Sequence, residues 1–160
     1  MYVYFDSKED LFFSLIQEKL DDLGRKLKDV VESSDKPEVK IRNLVHMHLA
    51  FCEEDKDFFQ MIIASERPRL EVDTRDRLRE HVRETYVYYL HLIERVMQDG
   101  ISVGMLKDMN PHLLATWLES LLRSFAEDWI WTGSKEALTE MEPVIMELFL
   151  EGASRQPLKR

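Results

Sequence analysis

An all-α fold, a helical bundle of about six helices, is predicted by three features of the 160-residue chain. Apolar side chains recur at helical spacing nearly throughout. Gly and Pro number five each, too few for many short strands and turns. No interior Pro/Gly/Ser linker, internal repeat or low-complexity stretch divides the chain, and its length suits one domain with a sizeable core.

The first helix is expected to begin after Ser7. In Ser7-Lys8-Glu9-Asp10 a hydroxyl can accept a backbone N–H while Asp10 reaches back, a capping-box arrangement. Phe12, Ile16, Leu20, Leu23, Leu27 and Val30 follow at helical spacing to about Glu32. The polar run Ser33 to Lys36 breaks the helix, and Pro37 opens the next, to about Glu54. That helix sets Ile41, Leu44, Val45, His48, Phe51 and Cys52 on one face. Asp57 with Gln60 marks a short helix stopped by Pro68. A long one is expected from about Thr74 to Val103, ended by Gly104. Asn110-Pro111 reads as N-cap and first helical position of a helix to about Trp131, ended by Gly133. The last helix runs to about Glu151, and Pro143 either kinks it or marks its true start.

Charge and cysteine content exclude several functions. Thirty-one acids against 22 bases give a formal charge of −9, which argues against a broad non-specific grip on nucleic acid. The single cysteine, Cys52, excludes an internal disulfide framework and any multi-cysteine metal site, and fits a reducing, cytoplasmic setting. No charge-free run exceeds ten residues, the length of Asn43 to Cys52, against roughly 18 needed to span a membrane. Neither a Gly-rich phosphate loop nor a catalytic Ser or zinc motif occurs, so an enzyme is not expected, nor a metal or cofactor. His48 and Cys52 lie one helical turn apart, yet no residue is evident to orient a thiol nucleophile; burial of Cys52 as a small hydrophobe is the simpler reading. His46 and His48 diverge by about 200° on a helix, so only His48 shares the apolar face.

Polar groups inside apolar stripes are more informative. His48 sits among Leu44, Phe51 and Cys52, and the long helix carries Tyr86 and Tyr89 in a stripe with Ile93. Trp117 begins a third such face. Mostly apolar walls with a few polar groups suit a small-molecule cavity; the alternative is a closed core in which each polar group is satisfied. A pocket of His48, Phe51, Cys52, Tyr86, Tyr89, Ile93 and Trp117 would take a small, largely apolar or aromatic effector.

The helix from Pro111 is apolar over about half its circumference, more than a one-sided surface helix needs. It must bury two faces, either as a central helix of one subunit or against a second copy. The second solution pairs the last two helices into an intermolecular four-helix bundle. Its expected interface is Leu118, Leu121, Leu122, Phe125, Val144, Ile145, Leu148 and Phe149, and the expected state a homodimer.

The opening Tyr2-Val3-Tyr4-Phe5-Asp6-Ser7-Lys8-Glu9-Asp10-Leu11 resembles the Tyr-x-x-Phe-x-Ser-Lys-Glu-x-Leu segment of tetracycline-repressor-like (TetR) transcriptional regulators. The helix layout and Glu147-Leu148-Phe149-Leu150-Glu151-Gly152 are similar to that family's effector domain. The resemblance implies a ligand-responsive regulator, most simply a repressor, with residues 1–7 the end of a DNA-binding domain and residues 8–160 the effector-binding and dimerisation domain. In the family most of a helix-turn-helix precedes this segment, so operator DNA would be bound only by an intact parent protein. Tyr2, Tyr4 and Lys8 fall where the family contacts operator phosphates; otherwise Tyr2 and Phe5 pack between domains and Lys8 is solvated. The competing function is a stand-alone helical dimer, an anti-repressor-like interaction module.

Overall fold

The computed structural model describes residues 8–65 and 72–153. They form six α-helices: α1 (Lys8–Glu32), α2 (Pro37–Glu54), α3 (Lys56–Ser65), α4 (Val72–Ser102), α5 (Pro111–Thr132) and α6 (Glu142–Ala153). A 3₁₀ turn, Leu138–Met141, precedes α6, and no strand occurs among the described residues. The expected Ser7 cap and the stop at Pro68 lie outside the described residues.

The helix ends follow local chemistry. Asn110 Oδ1 accepts the backbone N–H of His112 at 2.9 Å, and Pro111 takes the first helical position, where a missing N–H costs nothing. Gly133 ends α5 in the left-handed conformation at φ 64°, which a residue with a Cβ adopts only with strain. Pro143 proves to mark a start rather than a kink: it lies in the first turn of α6. The C-terminal end of α1 is closed from another helix. Lys40 Nζ, on α2, donates to Val31 O at 2.8 Å and lies 3.6 Å from Asp99 of α4.

Helix α4 is the spine, packed along α1 on one side and along α5 on the other, with α2 also against it. Ile16 and Leu27 of α1, Ile41, Leu44 and Leu49 of α2, Ile93 and Met97 of α4 and Leu114 and Leu118 of α5 are fully buried in one continuous core. Burying such side chains contributes roughly 1.5–3 kcal/mol each before chain entropy is counted. Helix α6 closes the bundle. Its Phe149 is fully buried, and Ala153 O accepts the backbone N–H of Lys107 at 2.8 Å, tying its end to the α4–α5 connection.

Candidate functional site

Two of the expected pocket residues, His48 of α2 and Tyr89 of α4, meet directly. His48 Nδ1 lies 2.6 Å from Tyr89 Oη, a buried hydrogen bond between the two helices. The imidazole also leans on Phe59, with ring centroids 6.4 Å apart. Phe51, Cys52 and Ile93 are fully buried in the same core. Phe51, Phe58 and Phe59 meet edge to face, at 5.6 to 6.3 Å between centroids. Burial, helped by the positive Arg123, pushes His48 down to about 4, so the ring is neutral at pH 7. Burial raises the Tyr89 phenol well above its ordinary value, with Cys52 and Glu119 adding to it. The Cys52 thiol is also raised by burial, which disfavours the thiolate that a nucleophile requires.

Tyr86, three residues before Tyr89 on α4, carries the polar character across to α5. Its hydroxyl donates to Glu119 Oε2 at 3.5 Å, and Arg123 Nε donates to Glu119 Oε1 at 3.2 Å. The Arg123 guanidinium stands over the Tyr86 ring, 5.7 Å from its centroid. Glu119 is buried, whereas Arg123 is half exposed. Sequence reasoning missed Glu119 and Arg123. A signal existed: Glu119 shares its helix face with Ala115, Leu118 and Leu122, all buried, so an acid interrupts an apolar face.

Trp117 does not join this group. It lies about 200° round α5 from Glu119 and packs on α6 instead, its ring 5.4 Å from that of Phe149. The expected dimer residues also divide. Leu118, Leu122, Ile145 and Phe149 are fully enclosed within the single chain, so they are core rather than contact surface. Leu121 and Phe125 are half-buried, while Val144 and Leu148 are exposed. The exposed apolar side chains on α5 are Leu113, Trp117 and Trp131. Thus one face of α5 is buried inside the single chain, while Leu113 and Trp131 on the other are exposed.

His46 points away from His48, as the helix geometry requires, and bonds Glu142 of α6 at 2.7 Å. Among the described residues no group of His, Cys, Asp or Glu is placed to hold a metal ion. No helix among them is long and apolar enough to cross a membrane. Tyr2 and Tyr4 lie outside the described residues; Lys8 is exposed at the start of α1.

Along the seam between α1 and α4 runs an open groove of about 460 Å³. Leu20, Gly24, Arg25 and Lys28 form one wall and His81, Glu84, Thr85 and Tyr88 the other.

A six-helix bundle with a buried polar cluster between its second, fourth and fifth helices is the C-terminal domain of a TetR-type transcriptional regulator. Residues 16–152 match the TetR C-terminal family described as "YsiA-like protein, C-terminal region", and the chain belongs to that family. It is 20% identical over 153 residues to the fatty acid metabolism regulator protein of Bacillus subtilis (strain 168), covering 95% of this chain and 76% of that one. Among solved structures, the fatty acid degradation regulator FadR from Bacillus halodurans superposes with a TM-score of 0.76 at 25% identity, covering 94% of this chain and 76% of that one. The transcriptional regulator FadR from Bacillus subtilis, solved in complex with stearoyl-CoA, superposes with a TM-score of 0.75. At 18% identity over 93% of this chain and 78% of that one, the second likeness carries the fold alone.

Proposed function

We propose that this chain is the effector-binding and dimerisation domain of a ligand-responsive repressor whose effector is a fatty acyl compound. The observation that carries the reading is the His48–Tyr89 hydrogen bond at 2.6 Å, enclosed by apolar side chains of α2, α3 and α4. A bound alkyl chain replaces apolar contacts with apolar contacts, and the polar groups orient its head. The stearoyl-CoA complex of the Bacillus subtilis regulator supports an acyl ligand. Residues 8–160 constitute the domain, two copies pair through α5 and α6, and Tyr2, Tyr4 and Lys8 belong to the segment that meets operator phosphates.

In this reading the core around His48 and Tyr89 has two arrangements, one of which admits the effector. A ligand that binds only an opened core shifts the population toward it, by no more than its difference in affinity for the two states. Helix α1, packed along α4, carries the change toward the operator-binding side.

The test is a thermal melt with hexadecanoyl-CoA and with coenzyme A alone. A ligand at about 100 times its Kd stabilises by about 2.7 kcal/mol, a rise of roughly 5–10 °C for a domain of this size. The thioester should give that rise and coenzyme A should not. Equal melting temperatures in all three conditions retire the acyl effector.

A further inference from the structure

The groove along α1 and α4 leaves its polar groups unspent. Phe13 packs on His81 and Gly24 faces Tyr88, so the two helices run side by side in the same direction. Asp21 and Glu84, on opposite walls, therefore lie toward one end, about one turn before Gly24 and Tyr88. Arg25 and Lys28 lie toward the other end and are held within α1, by Asp22 at 3.4 Å and by Glu32 at 3.9 Å. Asp21 precedes Arg25 by four residues, the favourable order for a helical ion pair, yet neither it nor Glu84 bonds a described residue. His81 also lines the groove, and its Nε2 is buried with no hydrogen-bond partner, where such atoms are normally satisfied. Gly24 gives the groove its width. Glycine inside a helix is less favourable than alanine. A Cβ at this position would meet the Tyr88 ring at 3.6 Å, an ordinary contact, so packing alone does not demand the glycine. A longer side chain would fill the groove.

We propose that this groove is a ligand site separate from the core around His48 and Tyr89, and that it takes a small primary ammonium compound with an aromatic or apolar body. A primary ammonium donates three N–H groups. The Asp21 and Glu84 carboxylates, and His81 Nε2 with the ring proton on Nδ1, are three acceptors without partners at the same end of the groove. The body then lies over Gly24 against the Tyr88 ring, and a cation beside an aromatic face gains further attraction. Charge favours a cation over an anion here. With Asp22 and Glu32 included, four acids surround two bases, and both bases are already engaged along α1. A quaternary ammonium has the charge but no N–H to donate, so it leaves the three acceptors unsatisfied. Among the described residues no ion pair joins α1 to α4; an ammonium shared by Asp21 and Glu84 supplies that link.

Amide NMR titration of the 160-residue protein at neutral pH and low salt tests the site, with phenethylamine, phenethyltrimethylammonium and hydrocinnamate as probes. Phenethylamine should shift amides of residues 20–28 and 81–88 and bind at least about tenfold more tightly than either analogue. Asp21→Asn and Glu84→Gln, both at exposed positions, should each weaken it about two- to fivefold. His81→Phe keeps a ring against Phe13 and removes the acceptor, and should weaken it severalfold. Gly24→Met lays a flexible side chain along the groove and should block binding. Circular dichroism of each variant separates lost binding from lost fold; should Gly24→Met not fold, the two exposed-position variants decide. The proposal is overturned if phenethylamine does not bind, or if its shifts fall around His48 instead. Binding of the quaternary ammonium or the carboxylate as tight as that of the amine overturns it too, as do Asp21→Asn and Glu84→Gln variants that bind like the wild type.

Discussion

The indole of Trp117 lies against Gly152, so close that a side-chain carbon on the glycine would overlap the ring edge at Cη2. The contact joins α5 to α6 at the point where Trp117 also meets Phe149. Gly152 is helical, so its role is close approach and not backbone freedom. Gly152→Ala should push the indole off Phe149 and cost about 1–3 kcal/mol, the usual penalty of overpacking. Chemical denaturation followed by far-UV circular dichroism measures it. A variant as stable as the wild type would show that the indole has room to turn aside.

Lys40 gives a second expectation. Its ammonium satisfies Val31 O at the end of α1 while its stem is buried in the α1–α2 seam. Lys40→Met keeps the stem's bulk but leaves the carbonyl without its partner, a loss of about 1–3 kcal/mol. Asp99→Asn tests the other contact. Asp99 is half exposed and 3.6 Å away, so that change should cost under about 1 kcal/mol. Urea midpoints of the two variants rank the hydrogen bond against the ion pair, and an equal loss in both would contradict the ranking.

Acid should act through His48. Its pKa falls from 6.5 to about 4 in the folded chain, chiefly by burial, so between those values the unfolded chain binds the extra proton. Stability attributable to this group is therefore full above about pH 6.5 and is lost as pH falls toward 4. The loss amounts to about 2 kcal/mol at pH 5 and about 3 kcal/mol once both states are protonated. His46, His91 and His112 pair with Glu142 or Glu94 on the surface and are common to wild type and variant. The difference between wild type and His48→Gln at pH 7 and pH 5 thus isolates the buried ring. The variant should lose about 2 kcal/mol less over that interval; parallel pH profiles would mean that His48 is reached by solvent.

Local signals carried most of the fold. Pro37, Asn110-Pro111 and Gly133 punctuate the chain through their own backbone constraints, and α2 begins and ends where the sequence places it. Pro143 was ambiguous because a proline is compatible with a kink and with a helix start, and only the 3₁₀ turn before it separates the two. The His48–Tyr89 meeting was legible as two polar residues on apolar faces, 41 residues apart. Glu119 was legible only as an acid interrupting an apolar face; that this face is buried depends on Tyr86 and on how α5 is rotated against α4. The same rotation decides which half of the wide α5 arc is core. Periodicity shows that both halves are apolar, but which half faces the chain's own helices is a property of the packing, so Leu118 was grouped with Leu148 and Trp117 with His48.

That division supplies the last expectation. Leu113 is 55% exposed and Leu148 46%, whereas Leu118 and Leu122 are fully buried in the single chain. If a second copy covers the outer half of α5 and α6, glutamate at an exposed position must leave a charge unpartnered in a desolvated interface, costing several kcal/mol of association. The same glutamate in an isolated subunit is solvated. Leu113→Glu and Leu148→Glu should therefore give folded monomers with native helical content. Leu118→Glu and Leu122→Glu place the charge in the subunit core and should abolish folding at any concentration. Sedimentation velocity at micromolar concentration, read beside circular dichroism, distinguishes the two classes. A wild type that sediments as a monomer would refute the dimer, and exposed-position variants that remain dimeric would move the interface off this face.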